Sequence, residues 1–265
     1  LYVANFTNAW NNTTGSPISV TGLTAGTTYT FYVRAKNAYG VGPQSAGVNG
    51  STPILGEFMV VGGGGGGANG FNNGQVGVTC FGGGGGGTSI SSNVVVSAGV
   101  YTMNVGGAGT VNGGTGGTSS VVFGGSTLYS AAGGNGSYAD RYPFGGAGGS
   151  GSTSNGTAGS QTGYTVAVGG YSNAFDGTTR TYGSGGGANP AGGGSAGADG
   201  EGDGGQSGGG GNPSPGNRGG TGIAMLKILT SNTGRITATS GTVSAVVTGS
   251  YTVYRWTSSG TVTVS

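Results

Sequence analysis

Hydrophobic residues in this chain stand in short phrases with the periodicity of strands. In the stretch PISVTGLTAGTTYTFYVRAKNAYGVGPQSAG (17–47) the alternate residues Tyr29, Phe31, Val33 and Ala35 fall on one face of an extended backbone. Farther along, ILGEFMVV (54–61), NVVVSAGVYTMNV (93–105), SSVVFGGSTLYS (119–130) and GIAMLKIL (222–229) are brief runs rich in β-branched or apolar residues. The segment 233–265 alternates β-branched with small residues and ends in YRWTSSGTVTVS, which predicts a hairpin with Ser259-Gly260 at its turn. The pattern predicts an all-β protein with essentially no helix.

What separates these phrases is glycine. The chain holds 71 glycines in 265 residues, gathered into blocks such as 62–67, 82–87 and much of 184–211. Each glycine loses more backbone freedom on folding than alanine does, by about 0.5–1 kcal/mol, so an ordered fold must recover that cost elsewhere. Two readings compete: a flexible linker, or strands packed so closely that only a hydrogen fits at each Cα, held by amide–carbonyl bonds. The interleaved β-rich phrases, which a linker does not need, favour the packed fold. Collagen is excluded, because no strict Gly-X-Y period runs through the blocks and only 7 prolines are present.

Composition removes several function classes. Eight basic residues against six acids, scattered along the chain, leave no footprint for nucleic acid. Histidine is absent, so a Ser/His/Asp site cannot be built within this chain, and no lysine follows the glycine runs in the way a phosphate-binding loop requires. An enzyme is not expected. Cys80 is the single cysteine and reads as a small buried hydrophobe. No apolar run reaches the length of a membrane span, so membrane insertion is not expected. The chain opens at Leu1 and closes on a β phrase, so both ends read as internal to a longer, repetitive polypeptide.

Residues 1–52 resemble a partial fibronectin type III module. The likeness is carried by Leu23 and Tyr29 in LTAGTTY, where that family has a leucine and its corner tyrosine, and by YVRAKNAYGVGPQS leading into the last strand. Only about half of such a module stands here, which implies strands supplied from elsewhere in the polypeptide or by another chain. Residues 54–229 are similar to the glycine-rich domains of phage tail-fibre tip adhesins and of some bacterial surface proteins, through FMVVGGGGGG, YTMNVGGAG, SSVVFGG and GGTGIAMLKI. That resemblance implies a mixture of β structure and bundled polyglycine II helices; the change of pattern after it marks 230–265 as a C-terminal β segment with a hairpin.

Aromatic islands interrupt the glycine. SYADRYPF (137–144) offers Tyr138, Arg141, Tyr142 and Phe144; YSNAFDGTTRTY (171–182) offers Tyr171, Phe175, Arg180 and Tyr182. Rings beside amides and charges suit recognition of carbohydrate or protein surfaces. In the adhesins resembled, such segments are the loops that touch a receptor, which implies contact roles for these eight residues; the alternative is that the rings seal a core poor in large side chains. In ADGEGDGG (198–205), Asp199, Glu201 and Asp203 alternate with glycine, a spacing that could gather oxygens around calcium or could equally form a solvated loop. No other cofactor is implied. The resulting expectation is an extracellular, non-enzymatic adhesin, the C-terminal part of a phage or prophage tail fibre. Its partner would be a bacterial surface glycan or outer-membrane protein, and its assembly a trimer or filament. The alternative is a structural filament or surface-layer subunit joined by strand exchange between copies.

Overall fold

The structure, a computed structural model, describes residues 2–3, 20–68, 81–137, 146–159, 169–188, 194–207 and 215–265. The protein is nearly all β, and its sheets are antiparallel. Among the described residues the one helical element is a short 3₁₀ turn, Thr230–Arg235. Two compact units divide the chain: Leu1–Leu55 with Val95–Ser97, and Gly56–Val94 with Ala98–Ser265.

In the first unit, β2 (Thr28–Tyr32) lies between β1 (Tyr2–Val3) and β5 (Val48–Ser51), beside a small ribbon of β3 (Lys36–Asn37) and β4 (Gly40–Val41). Tyr29 is buried, and its hydroxyl accepts the backbone N–H of Thr24 at 2.9 Å, tying the entry of β2 to the turn before it. Thr52 reinforces this corner, accepting from the Thr27 N–H at 2.9 Å and donating to the Thr24 carbonyl at 2.6 Å. The expected apolar face of β2 is covered only at its start: beyond Tyr29, Val33 is 50% exposed.

The second unit is built on two five-stranded sheets. One has the order β15-β16-β13-β6-β7, from Val243–Thr248, Tyr251–Trp256, Ile223–Leu229, Ile54–Val61 and Thr88–Val96. The other has the order β10-β9-β8-β17-β14, from Ser126–Ala131, Ser119–Phe123, Gly99–Asn104, Gly260–Val264 and Ile236–Thr239. Alternation along β6 divides its side chains between two environments. Phe58 meets Tyr101 of β8 at 5.7 Å and Tyr129 of β10 at 5.6 Å between the sheets. Met59 and Val61 point the other way, into a second cluster with Ile223, Met225 and Val253.

The C-terminal segment is part of this sandwich. β16 is hydrogen-bonded between β15 and β13, and β17 between β8 and β14, so residues 230–265 form no separate domain. Nor is 251–264 a hairpin: its two strands belong to opposite sheets. The turn residues explain the difference, because their hydroxyls bind the backbone of both sheets. Ser258 accepts the Thr242 N–H ahead of β15, and Ser259 accepts the Val105 N–H just past β8.

Six strands continue past the same end of the sandwich as glycine-rich backbone. β6, β8 and β10 run out into 62–68, 106–112 and 132–137, while 81–87, 114–117 and 217–222 run in to β7, β9 and β13. There the hydrogen-bond period changes from two to three. Gly62, Gly65 and Ala68 donate to Gly87, Gly84 and Phe81; Gly63 and Gly66 donate to Gly117 and Gly114; Gly64 and Gly67 donate to Gly220 and Asn217, all at 2.8–3.0 Å. The carbonyls of the same run accept from 134–137, 109–112 and 205, so 62–68 is enclosed by six neighbouring segments.

The run 82–88 is enclosed in the same way. Its amides donate to 202–205, 132–135 and 154–157, and its carbonyls accept from 62–65, 146–149 and 186. No glycine of either run takes a positive φ. Negative φ with donors turning by a third of a circle per residue is the polyglycine II helix, left-handed with three residues per turn, here in hexagonal packing. A Cβ built on any glycine of 62–67 or 82–87 meets neighbouring backbone closer than 3.0 Å, as Gly65 meets the Asn135 carbonyl and Gly84 that of Ala147. Glycine is therefore required at these positions by the approach of backbone to backbone.

Replacing Gly65 or Gly84 by alanine is expected to cost about 3 kcal/mol or more, since backbone must move to admit the methyl group. Gly107, whose Cβ position is open, is expected to tolerate alanine within about 0.5 kcal/mol. Denaturant unfolding of the variants measures both.

Candidate functional site

At the far end of the glycine bundle, residues distant in sequence are hydrogen-bonded to one another. Ala68 donates its N–H to the Phe81 carbonyl at 3.0 Å, and the Ser137 hydroxyl bridges the two residues, accepting from Ala68 at 2.9 Å and donating to Phe81 at 2.8 Å. Gly146 donates to Gly82, Gly159 to Gly146, Ser207 to Gly187 and Asn112 to Gly67. A Cβ on Gly216 would strike the Gly67 and Ala68 carbonyls, and one on Gly194 would meet the Ser207 carbonyl. The described residues that flank 69–80, 138–145, 189–193 and 208–214 thus lie together at one end of the bundle, with Gly159 and the turn 110–114. Tyr138, Arg141, Tyr142 and Phe144 belong to 138–145 and lie outside the described residues.

The other aromatic island stands elsewhere. β11 (Tyr171–Asn173) and β12 (Arg180–Tyr182) form a hairpin laid over the outer face of the first sheet. Phe175 and Tyr182, 4% and 1% exposed, join Met59, Val61, Ile223, Met225 and Val253 in its core, so neither ring is presented to a partner. The reason lies in the sheet beneath: both faces of β6 and β13 are apolar, and the outer one needs a cover. Tyr171 and Arg180 remain partly exposed.

Arg180 is held by a buried charge cluster. Asp176, 3% exposed, receives Arg255 at 3.2 Å and Arg180 at 3.5 Å, and its Oδ1 accepts the Thr178 N–H. Arg180 also reaches Glu201 at 3.3 Å. Burial, with the Asp176 charge nearby, pushes the Tyr182 phenol up to about 12, so it stays neutral.

The three spaced carboxylates do not converge. Asp199 accepts both Nη atoms of Arg218 at 2.7 Å, and that pairing holds its carboxyl down to about 2. Glu201 turns to Arg180, and Asp203 accepts the Ser184 N–H at 2.9 Å between glycine strands. Alternation with glycine splays the side chains to separate partners, and among the described residues no acidic group of three is placed to hold a metal. The calcium expectation is therefore set aside. Burial pushes Asp203 up to about 6.

Glu57 and Lys227 are not among the residues that the sequence singles out. Each is the lone charge in an apolar strand, and register sets them directly opposite, with the ammonium 3.2 Å from the carboxylate. That the two strands each carry one charge of opposite sign was the available signal. Lys227 also sits over the rings of Phe175 at 5.4 Å and Tyr251 at 4.8 Å.

Among the described residues no helix is long and apolar enough to cross a membrane. Compared with known proteins, the chain matches no family model, no curated protein and no solved structure.

Two outcomes follow from these placements. Phe175→Ala should cost about 3 kcal/mol in denaturant unfolding, the loss of a buried ring. The Asp203 carboxyl has its folded value raised from 3.8, so its favourable share is complete below that value and is lost as pH rises through about 6. Asp203→Asn, which keeps the acceptor for Ser184, should then raise stability at pH 7 by about 1–2 kcal/mol and flatten the melting profile between pH 4 and 7, in thermal melts across that range.

Proposed function

We propose that this chain is a non-enzymatic adhesin, the C-terminal part of a phage or prophage tail fibre, which binds a bacterial surface glycan or outer-membrane protein outside the cell. The observation that supports the reading is that the residues flanking 69–80, 138–145, 189–193 and 208–214 lie together at one end of the glycine bundle. A scaffold of hydrogen-bonded backbone with no side chains of its own to offer can present variable segments on rigid anchors, and recognition commonly resides in such segments. Ser137 ties two of these anchors together directly, through its bonds to Ala68 and Phe81. The corner at Tyr29, bonded to the Thr24 amide, is also what the partial fibronectin type III reading of 1–52 asks for. Several copies on one fibre would add avidity without new contacts.

The alternative, a filament subunit that lends its 233–265 segment to the next copy, draws less support. Two of its four strands, β16 and β17, occupy interior positions in the two sheets of their own chain, with β15 and β14 at the edges beside them.

The test replaces 138–145, with its Tyr138, Arg141, Tyr142 and Phe144, by a glycine-serine segment of equal length in the full chain. Binding to a panel of bacterial cells should fall at least about tenfold while the melting temperature holds, because surface changes move stability by about 0.5 kcal/mol. Unchanged binding, or binding to no cell type by the parent chain, overturns the reading.

A further inference from the structure

The hairpin over the first sheet does not cover all of it. Beside the hairpin a groove of about 470 Å³ remains, lined by Glu57 and Lys227, by Tyr171, Asn173 and Phe175 of the hairpin side, and by Ile90, Ser92 and Thr153 opposite. Its size falls within the range of small-molecule sites. The opposite wall is tied in place: Thr153 Oγ1 accepts the Ile90 N–H at 2.7 Å. On the hairpin side the Asn173 amide donates to the Tyr171 hydroxyl at 3.2 Å, which leaves the amide oxygen as an acceptor.

We infer that this groove is a second binding site, for a neutral saccharide unit, independent of the segments at the end of the bundle. The argument is one of charge and of hydrogen-bond count. The floor is an ion pair, Glu57 31% and Lys227 20% exposed, so donor and acceptor reach the groove side by side. An anionic ligand meets Glu57 and a cationic one meets Lys227, each at a like-charge cost. Adjacent hydroxyls on a sugar ring satisfy both, one donating to the carboxylate and its neighbour accepting from the ammonium. Of the three ammonium protons, one is directed at Glu57 Oε2, and the flanking rings of Phe175 and Tyr251 hold the group in position. Hydroxyls of Tyr171, Ser92 and Thr153 and the Asn173 carbonyl supply further partners, while Ile90 gives the sugar's C–H face something apolar to lie against.

The experiment titrates the full chain with the methyl glycosides of glucose, galactose and mannose and with N-acetylglucosamine, followed by amide NMR shifts. At least one probe should give a saturable shift confined to residues near 57, 90–92, 153, 171–175 and 227, with millimolar affinity. Glu57→Gln and Asn173→Ala should each weaken that probe about tenfold, since each removes a charged or fixed hydrogen-bond partner. No saturable shift with any probe up to about 100 mM overturns the inference. So does equal binding by both variants, or tighter binding of acetate or tetramethylammonium than of any sugar. Because Tyr138, Arg141, Tyr142 and Phe144 are untouched in these variants, failure here leaves cell binding through 138–145 standing, and failure of that binding leaves the groove standing.

Discussion

The backbone hydrogen bond between glycine strands is the interaction on which this structure depends. In an ordinary core, apolar side chains meet and the amides are paired inside sheets. Here, over 62–67 and 82–87, no side chains meet, and each amide goes to a different neighbouring strand than the amide before it. The gain per bond is modest in net terms, about 1 kcal/mol, but a buried amide left without a partner costs more, about 1–3 kcal/mol. Hexagonal packing pairs every amide of 62–67 and 83–87, and it works only when nothing projects from the Cα. That is why the cost of ordering so many glycines can be met: the same absence of side chains that makes the chain floppy when free lets six neighbours close around one strand.

The sandwich supplies what the glycine strands lack, which is register. A run of identical residues can slide along its neighbours without losing a bond. Each central run is therefore covalently continuous with a strand whose pairing is set by large side chains: 62–67 with β6, where Phe58 and Met59 face different cores, and 82–87 with β7. Ser119 pins the junction, donating to the Val61 carbonyl and accepting the Gly106 amide at 2.9 Å. Sheet pairing and threefold pairing thus share strands, and the change of period occurs where the apolar phrases end.

Much of this was legible from sequence, for identifiable reasons. Glycine blocks separated by β phrases imply backbone packing whatever the fold in detail, and the apolar runs 54–61 and 222–229 locate the strands that lead into and out of the bundle. The six-neighbour arrangement was not legible, because it is set by which distant segments meet. Phe175 and Tyr182 show the limit of composition: rings beside Asp and Arg look the same in a binding loop and in a lid over a sheet, and only the apolar outer face of β6 and β13 decides. The C-terminal turn shows another limit. Ser-Ser-Gly suits a hairpin, yet hydroxyls that bind both sheets turn it into a crossing between them. Asp199, Glu201 and Asp203 fail as a cluster because Arg218, Arg180 and the Ser184 amide, remote in sequence, claim one each.

Two sites are proposed on this scaffold: the end of the bundle where Ala68, Phe81 and Ser137 are tied together, and the groove beside the hairpin. Both need the bundle to be stiff. The most direct measurement is native-state hydrogen exchange of the amides of 62–67 and 82–87. The account predicts that they exchange only through global unfolding, with protection matching that of β6 and β13 amides such as Met59 and Leu226. Exchange of those glycine amides at the speed of a free peptide, while the sheet amides stay protected, contradicts it.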